Sequence, residues 1–292
     1  MKIAIGIPAY NEEKNLPSLI IQLKKKFNEI IVCDDGSTDQ TKEIAEKIGA
    51  VVVSHSKNLG YGSAIKSIFL KAKEINADIL VTFDADGQHR IEDIETVLHP
   101  ILKNEADIVI GSRFLGNPQN IPKYRKFGIK AITGLTNIST GTKISDAQSG
   151  FRGYNKQVLS EIIPSDSGMG ISTEILIKSS KKQFKISEVP ITIKYEGDTS
   201  THNPVYHGTS VILSTLKYTA IDRPLTFYGI PGLLLFVIGL IFGGWTLHLF
   251  SELGRVVTNL ALVSIAGLVL GTTLLITATL LYSMVSLIRE KS

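Results

Sequence analysis

Two long apolar stretches near the carboxyl end set the strongest limit on what this chain can become. Leu225–Phe250 and Val257–Ile288 are separated by Ser251-Glu-Leu-Gly-Arg255, and the only Asp, Glu, Lys or Arg residues between Leu225 and Ile288 are Glu252 and Arg255. Some 20 apolar residues, rising about 1.5 Å each, are enough to cross the hydrocarbon core of a bilayer. The pattern therefore predicts a hairpin of two membrane-spanning helices. No charge lies deep in either helix, which argues against a transport path through them. Lys217 and Arg223 precede the first span and Arg289 and Lys291 follow the second, whereas the connecting loop has only Arg255. The positive-inside rule then places both termini in the cytoplasm. Gly239 and Gly243, and Gly267 and Gly271, each sit one turn apart. Such spacing lets helix backbones approach closely, either within the hairpin or between copies in a homo-oligomer.

The rest of the chain has a different composition. Charged residues are frequent from Met1 to Arg223 and apolar runs are short. Residues 1–203 are expected to form a cytoplasmic catalytic domain, 204–224 a juxtamembrane amphipathic segment, and 225–292 the anchor in the lipid bilayer. The net charge of +4 comes from basic residues scattered among acidic ones. That distribution gives no footprint for nucleic acid. The apolar start of the chain is short and broken by Pro8, so it reads as a first strand and not a signal peptide. Cys33 is the only cysteine and reads as a buried strand residue.

Within the first part, β-rich runs alternate with helical patterns. Lys2–Ile7, Glu29–Asp34, Ala50–Ser54, Ile79–Asp84 and Ile108–Ser112 read as strands. Leu16–Phe27, Thr38–Ile48, Gly60–Ile75 and Ile91–Leu102 read as helices between them, with Ser37 to Gln40 as a capping box. Further on, Gly150–Tyr154 and Lys185–Lys194 read as strands flanking a helix over Ser172–Lys182. The alternation predicts an α/β fold, a doubly wound, mostly parallel sheet with helices on both faces. Ligands of such sheets bind beyond the carboxyl ends of the strands. Neither a G-x-G-x-x-G fingerprint after the first strand nor a G-x-x-x-x-G-K-[ST] loop is present. Dehydrogenase and P-loop chemistry are thereby disfavoured.

Asp84 and Asp86 stand one residue apart where a strand should end. Two carboxylates on so short a loop repel one another unless a cation is bound, and hard oxygen ligands suit Mg²⁺ or Mn²⁺. A calcium loop would need glycine where His89 stands.

The surrounding segments IGIPAYNEE, VCDDGSTDQT, NLGYGSAI, FDADGQH, GSRF and DAQSGFRGY resemble, in order, the motifs of glycosyltransferase family 2. They are most similar to those of the dolichyl- and polyprenyl-phosphate sugar synthases, and the likeness covers about the first two hundred residues. The resemblance implies a GT-A fold and transfer of a sugar from a GDP- or UDP-sugar donor to a polyprenyl or dolichyl phosphate. It implies that Pro8, Tyr10, Glu12 and Asp35 hold the nucleoside, and that Asp84, Asp86 and Gln88 form the metal and diphosphate site. Ala85 lies inside that loop and His89 reads as a bystander. Arg113 matches a phosphate-binding arginine, with Arg152 and Lys194 as further cationic candidates for the donor. Asp86 and Arg113 are expected to be the residues on which catalysis depends. Arg125, Lys126 and Lys130 are candidates for the acceptor phosphate.

A lipid monophosphate has a second pKa near ~6, so it reaches the site largely as a dianion and needs no base to become a nucleophile. The expected reaction is direct displacement with inversion. Glu174 is the best candidate should a base exist, and its alternative is a carboxylate that fixes the fold. Two other readings remain open at this stage. A polysaccharide synthase usually carries Q-x-x-R-W, whereas the single tryptophan here, Trp245, lies in a membrane segment. A silent nucleotide-sugar-binding subunit would have little reason to keep Asp84, Asp86, Gln88 and Arg113.

Overall fold

The computed structural model describes residues 1–115, 123–192, 220 and 224–290. It forms two compact units, Met1–Thr215 and Leu216–Ser292.

The first unit is built on a seven-stranded sheet. Its strands are β1 (Ile3–Ala9), β2 (Glu29–Asp34), β3 (Val51–Ser54), β4 (Ile79–Thr82), β5 (Ile108–Ser112), β6 (Arg152–Asn155) and β7 (Ile186–Pro190). The spatial order is β3-β2-β1-β4-β6-β5-β7. All neighbouring pairs are parallel except those made by β6, which runs antiparallel to both β4 and β5. The sheet is thus mixed, with the predicted parallel order interrupted by one reversed strand. Because β1, β2, β4 and β5 point the same way, their carboxyl ends open onto one rim.

The alternation of side chains along β1 divides the core. Ile5 and Ile7 join Leu16, Ile20 and Leu23 of α1 (Leu16–Lys24) and Ile94, Val97 and Ile101 of α4 (Asp93–Leu102) on one face. Ala4 faces the other way, with Ile65, Ile68 and Phe69 of α3 (Tyr61–Glu74) and Ile171 and Ile175 of α7 (Ile171–Lys181). Period-two residues in the strands and period-3.6 residues in the helices meet as a layered α/β core requires.

Three local features depart from the sequence expectation. Helix α2 (Thr41–Lys47) has Gln40 at its N-cap without a side-chain capping bond, so no capping box forms. Ser37 Oγ accepts instead from Asn11 N at 2.9 Å, and Thr41 Oγ1 from Glu12 N at 2.8 Å, tying this turn to the end of β1. Helices α5 (Lys123–Thr140) and α6 (Lys156–Glu161) are additional to the sequence expectation; α6 is only six residues long, and α5 buries polar residues beside Ile129 and Ile132. In α5, Thr133, Thr136, Ser139 and Thr140 occupy buried positions that a hydropathy pattern passes over.

In the second unit a π-helical turn, Leu225–Gly229, leads into α8 (Ile230–Leu253), and α9 (Thr258–Glu290) follows. Both candidate spans have a mean hydropathy of 2.2, and only 11% and 17% of their most apolar windows are buried. That much bare apolar surface is what a helix facing lipid presents. Gly254 ends α8 in the left-handed conformation (φ 65°), its N–H donating to Phe250 O.

The two helices touch through their glycines. A Cβ on Gly239 would lie 2.7 Å from Leu268 N, and one on Gly271 would lie 2.6 Å from Phe236 N. Ser264 Oγ donates to Gly239 O at 2.8 Å across the same seam. Of the two uses open to the glycine faces, packing within the hairpin is the one these contacts show. Gly271→Ala is therefore expected to lower the stability of the detergent-solubilised hairpin by roughly 1–3 kcal/mol through overpacking. Gly244→Ala, where a Cβ meets nothing within 4 Å, is the matched control and should leave thermal unfolding unchanged.

Candidate active site

The rim gathers acidic side chains from two strand ends, those of β1 and β4. The chain leaving β1 passes Pro8, a strand residue, then exposed Tyr10, and reaches Glu12. The chain leaving β4 reaches Asp84, Ala85 and Asp86. Ala85 is buried in the core, so it anchors the loop while both carboxylates stay half-exposed. Burial pushes the Glu12 carboxyl above its usual range; a bond from Asn15 opposes this, and the negative charges of Asp86, Asp39 and Asp84 add to the rise. Carboxylates whose negative charge reaches Glu12 in this way describe a pocket that favours a cation.

The loop itself is shaped by its own backbone. Gln88 N donates to Asp86 Oδ1 at 3.0 Å, closing a turn in which Gly87 adopts φ 70°. Asp84 is approached on both sides, by Tyr61 Oη at 3.4 Å from Oδ1 and by His89 Nε2 at 3.5 Å from Oδ2. His89 packs edge-on against Phe83 and Phe151 and is thus part of the loop's support. A Cβ on Gly150 would stand 2.4 Å from Tyr61 Oη and 2.9 Å from Asp84 Oδ2, so only glycine lets these groups meet.

Among the described residues, no three or more His, Cys, Asp or Glu side chains converge into a ready-made metal cage. The half-exposed carboxylates of Asp84 and Asp86 still suit a hard cation such as Mg²⁺ or Mn²⁺. Mg²⁺ in particular is commonly held by one or two carboxylates, the substrate's phosphates and water.

The remaining candidates separate by their partners. Asp34 Oδ1 accepts from Ser37 N at 3.2 Å, making the turn after β2. Asp35 accepts on Oδ1 from Leu59 N at 3.0 Å and on Oδ2 from Gly60 N at 2.8 Å, and Oδ1 also lies 2.6 Å from His55 Nδ1. Arg113 follows β5 and forks onto buried Asp146, through Nε at 2.6 Å and Nη2 at 2.7 Å. Glu188 in turn accepts from Ser145 N at 2.7 Å and Asp146 N at 2.9 Å, so β7 holds the loop that holds Arg113. Sequence reasoning singled out neither Asp146 nor Glu188. The signal was present, since Asp146 lies in the DAQSGFRGY segment and Glu188 in the predicted strand Lys185–Lys194.

Arg152 is corrected by the structure. It is 1% exposed and donates to the carbonyls of Ser149, Ser172 and Ala147, each at 2.8 Å. A guanidinium spent on three carbonyls inside the core is a strut and has no geometry for a diphosphate. Cys33 is likewise structural, its thiol pushed up to about 12 by burial first and by Asp35 and Asp34 next. Lys126 and Lys130 lie on α5, Lys130 exposed. Lys194, the side chain of Arg125, and most of 204–224 lie outside the described residues.

Glu174 is fully buried and takes bonds from Ser165 N at 2.9 Å and Asp166 N at 2.7 Å, from the Ser165 hydroxyl, and from Lys178 Nζ at 2.6 Å. Burial alone would raise its pKa, but these donors outweigh it and hold the carboxyl below the usual glutamate range. A carboxylate so committed pins the 165–166 loop and makes a poor proton acceptor. Its stabilising contribution is complete above the ordinary glutamate pKa and fades as pH falls through the depressed folded value. Glu174→Gln should therefore lower the melting temperature at pH 7, with the gap to wild type narrowing toward pH 3. The acidic limb of the pH–rate profile, which a general base would set, should keep its position.

The chain matches the model of glycosyl transferase family 2 over residues 4–163. It is 35% identical over 235 residues to the UDP-N-acetylglucosamine–dolichyl-phosphate N-acetylglucosaminyltransferase of Methanococcus voltae, covering 72% of this chain and 91% of the relative. It is 36% identical over 204 residues to the dolichol-phosphate mannosyltransferase of Pyrococcus furiosus, covering 66% of this chain and 56% of the relative. Among solved structures it resembles glucosyl-3-phosphoglycerate synthase from Mycobacterium tuberculosis in complex with Mn²⁺, UDP and glucosyl-3-phosphoglycerate. That likeness has a TM-score of 0.58 at 21% identity and covers 74% of this chain and 79% of the other. It establishes a common GT-A-type fold. By sequence and by fold, the chain is a member of glycosyltransferase family 2, with relatives named as dolichyl-phosphate sugar transferases.

Proposed function

We propose that this enzyme transfers a sugar from a nucleoside diphosphate sugar to a polyprenyl or dolichyl phosphate, with inversion and with a divalent cation. The observation that carries this reading is the placement of Glu12, Asp84 and Asp86 at one rim, where the negative charges of Asp86 and Asp84 add to the burial that raises the Glu12 carboxyl. The relatives named for dolichyl phosphate and the two candidate membrane helices support a lipid acceptor. The neighbour with Mn²⁺ and UDP supports a cation at the diphosphate.

Asp84, Asp86 and Gln88 would hold Mg²⁺ or Mn²⁺. When bound, the ion supplies positive charge to the departing diphosphate. Tyr10 offers a ring for the base to stack on. Pro8, Glu12 and Asp35 line the nucleoside side, the carboxylates accepting from base or ribose donors. Arg113 stands at the phosphate side, oriented by Asp146. Lys194, and Arg125, Lys126 and Lys130 at the acceptor phosphate, remain cationic candidates from the sequence.

The acceptor arrives as a lipid phosphate whose second pKa of ~6 leaves it mostly dianionic near neutrality. The protein's task is then to align one phosphate oxygen opposite the leaving diphosphate and to screen the charges between them. Glu174, saturated with donors, fits a mechanism without a general base. The two spans anchor the enzyme beside its lipid substrate. The excess of Lys and Arg outside the hairpin loop favours both termini, and the catalytic unit, on the cytoplasmic side.

Transfer of label from GDP- and UDP-sugars into extractable lipid tests the reaction. Asp86→Ala is expected to reduce it at least ~100-fold, in line with removal of a principal electrostatic group. Retained transfer in that variant would remove the metal assignment. The anomeric configuration of the lipid product tests inversion: an α-linked donor should yield a β-linked product.

A further inference from the structure

The carboxylate of Asp35 is only 5% exposed, and His55 presses against it with 11% exposure. The separation of Asp35 Oδ1 and His55 Nδ1 is 2.6 Å, and the other ring nitrogen lies 2.8 Å from Ser67 Oγ on α3. A serine hydroxyl can donate or accept, so this partner satisfies the ring in either protonation state. His55 N also donates to Asp34 O at 2.9 Å, which ties the end of β3 to the end of β2. Asp35 in turn fixes the segment that follows His55, because Leu59 N and Gly60 N both donate to it. The next residue, Tyr61, opens α3 and stands against Asp84. One buried histidine therefore joins the turn after β2, the start of α3 and, through Tyr61, the acidic loop after β4.

Ser67 is not a nucleophile in this arrangement. It lies in the middle of α3, where the neighbouring amides are spent on the helix and none is left to hold an oxyanion. The chain Asp35–His55–Ser67 is a clamp. We propose that His55 is a positioning residue of the donor site: by holding the Asp35 carboxylate it sets the 55–61 segment, and with it both the nucleoside side of the rim and the contact of Tyr61 with Asp84. This inference rests on the donor-site reading above.

The test is binding of UDP and of GDP, each with Mn²⁺, to the full chain in detergent by calorimetry, beside steady-state transfer. His55→Ala removes the clamp. His55→Asn keeps an N–H donor near the place of Nδ1 and should restore the bond to Asp35. A hydrogen bond to a charged group is worth enough to predict about a tenfold loss of nucleotide affinity in His55→Ala. The donor KM should rise by a similar factor while the lipid KM stays within about twofold. His55→Asn should recover most of the loss even if both variants melt at a lower temperature. Equal nucleotide affinity in His55→Ala and wild type would overturn the proposal, as would a His55→Asn variant no better than His55→Ala. Failure of the wild type to bind either nucleotide would instead strike at the donor-site reading itself.

Discussion

Everything at this site follows from crowding carboxylates onto one edge of a sheet. Glu12 arrives from β1 and Asp84 and Asp86 from β4; burial is the main cause that raises the Glu12 carboxyl, and the charges of Asp86 and Asp84 add to it. Such an arrangement costs free energy in the empty protein. It becomes favourable when a positive charge and a ligand that needs one arrive together. A diphosphate is such a ligand, since neither it nor the acidic rim is at ease with the other until a cation lies between them.

The rest of the unit holds that cluster in place. Asp84 has Tyr61 on one side, His89 on the other and Gly150 beneath. Tyr61 is set by the segment that Asp35 grips, and the same end of α3 donates from Gly62 N to Ser167 O, in the loop that Glu174 pins at Ser165 and Asp166. On the other flank, Glu188 holds the Ser145–Asp146 backbone and Asp146 holds Arg113. Buried carboxylates that would look catalytic in isolation are here spent on backbone amides. Satisfied networks of this kind rigidify a site.

The layered α/β order, the rim and the apolar hairpin were legible in the sequence because each rests on periodicity. Ile5 and Ile7 alternate with Ala4 and Gly6, and the spans run nearly free of charge from Leu225 to Ile288. The reversed direction of β6 was not legible, because four residues, Arg152–Asn155, carry no mark of orientation. Helix α5 mixes threonine and serine with Ile129 and Ile132 on its inward face. Asp84 and Asp86 stood out by spacing alone, whereas the partners of Arg113, Arg152 and Glu174 depend on contacts between distant parts of the chain. The distinction between a phosphate ligand and a strut for Arg152 is made by three carbonyls that no local pattern announces.

The most direct test of the central claim is a titration of Mn²⁺ into the wild-type protein followed by electron paramagnetic resonance of the free ion, with and without UDP or GDP. If the acidic rim and the diphosphate share the cation, Mn²⁺ should bind weakly to the protein alone and far more tightly once a nucleotide is present, and Asp84→Asn should abolish that enhancement. Mn²⁺ binding that is indifferent to both nucleotides, or unaffected by Asp84→Asn, would contradict the account.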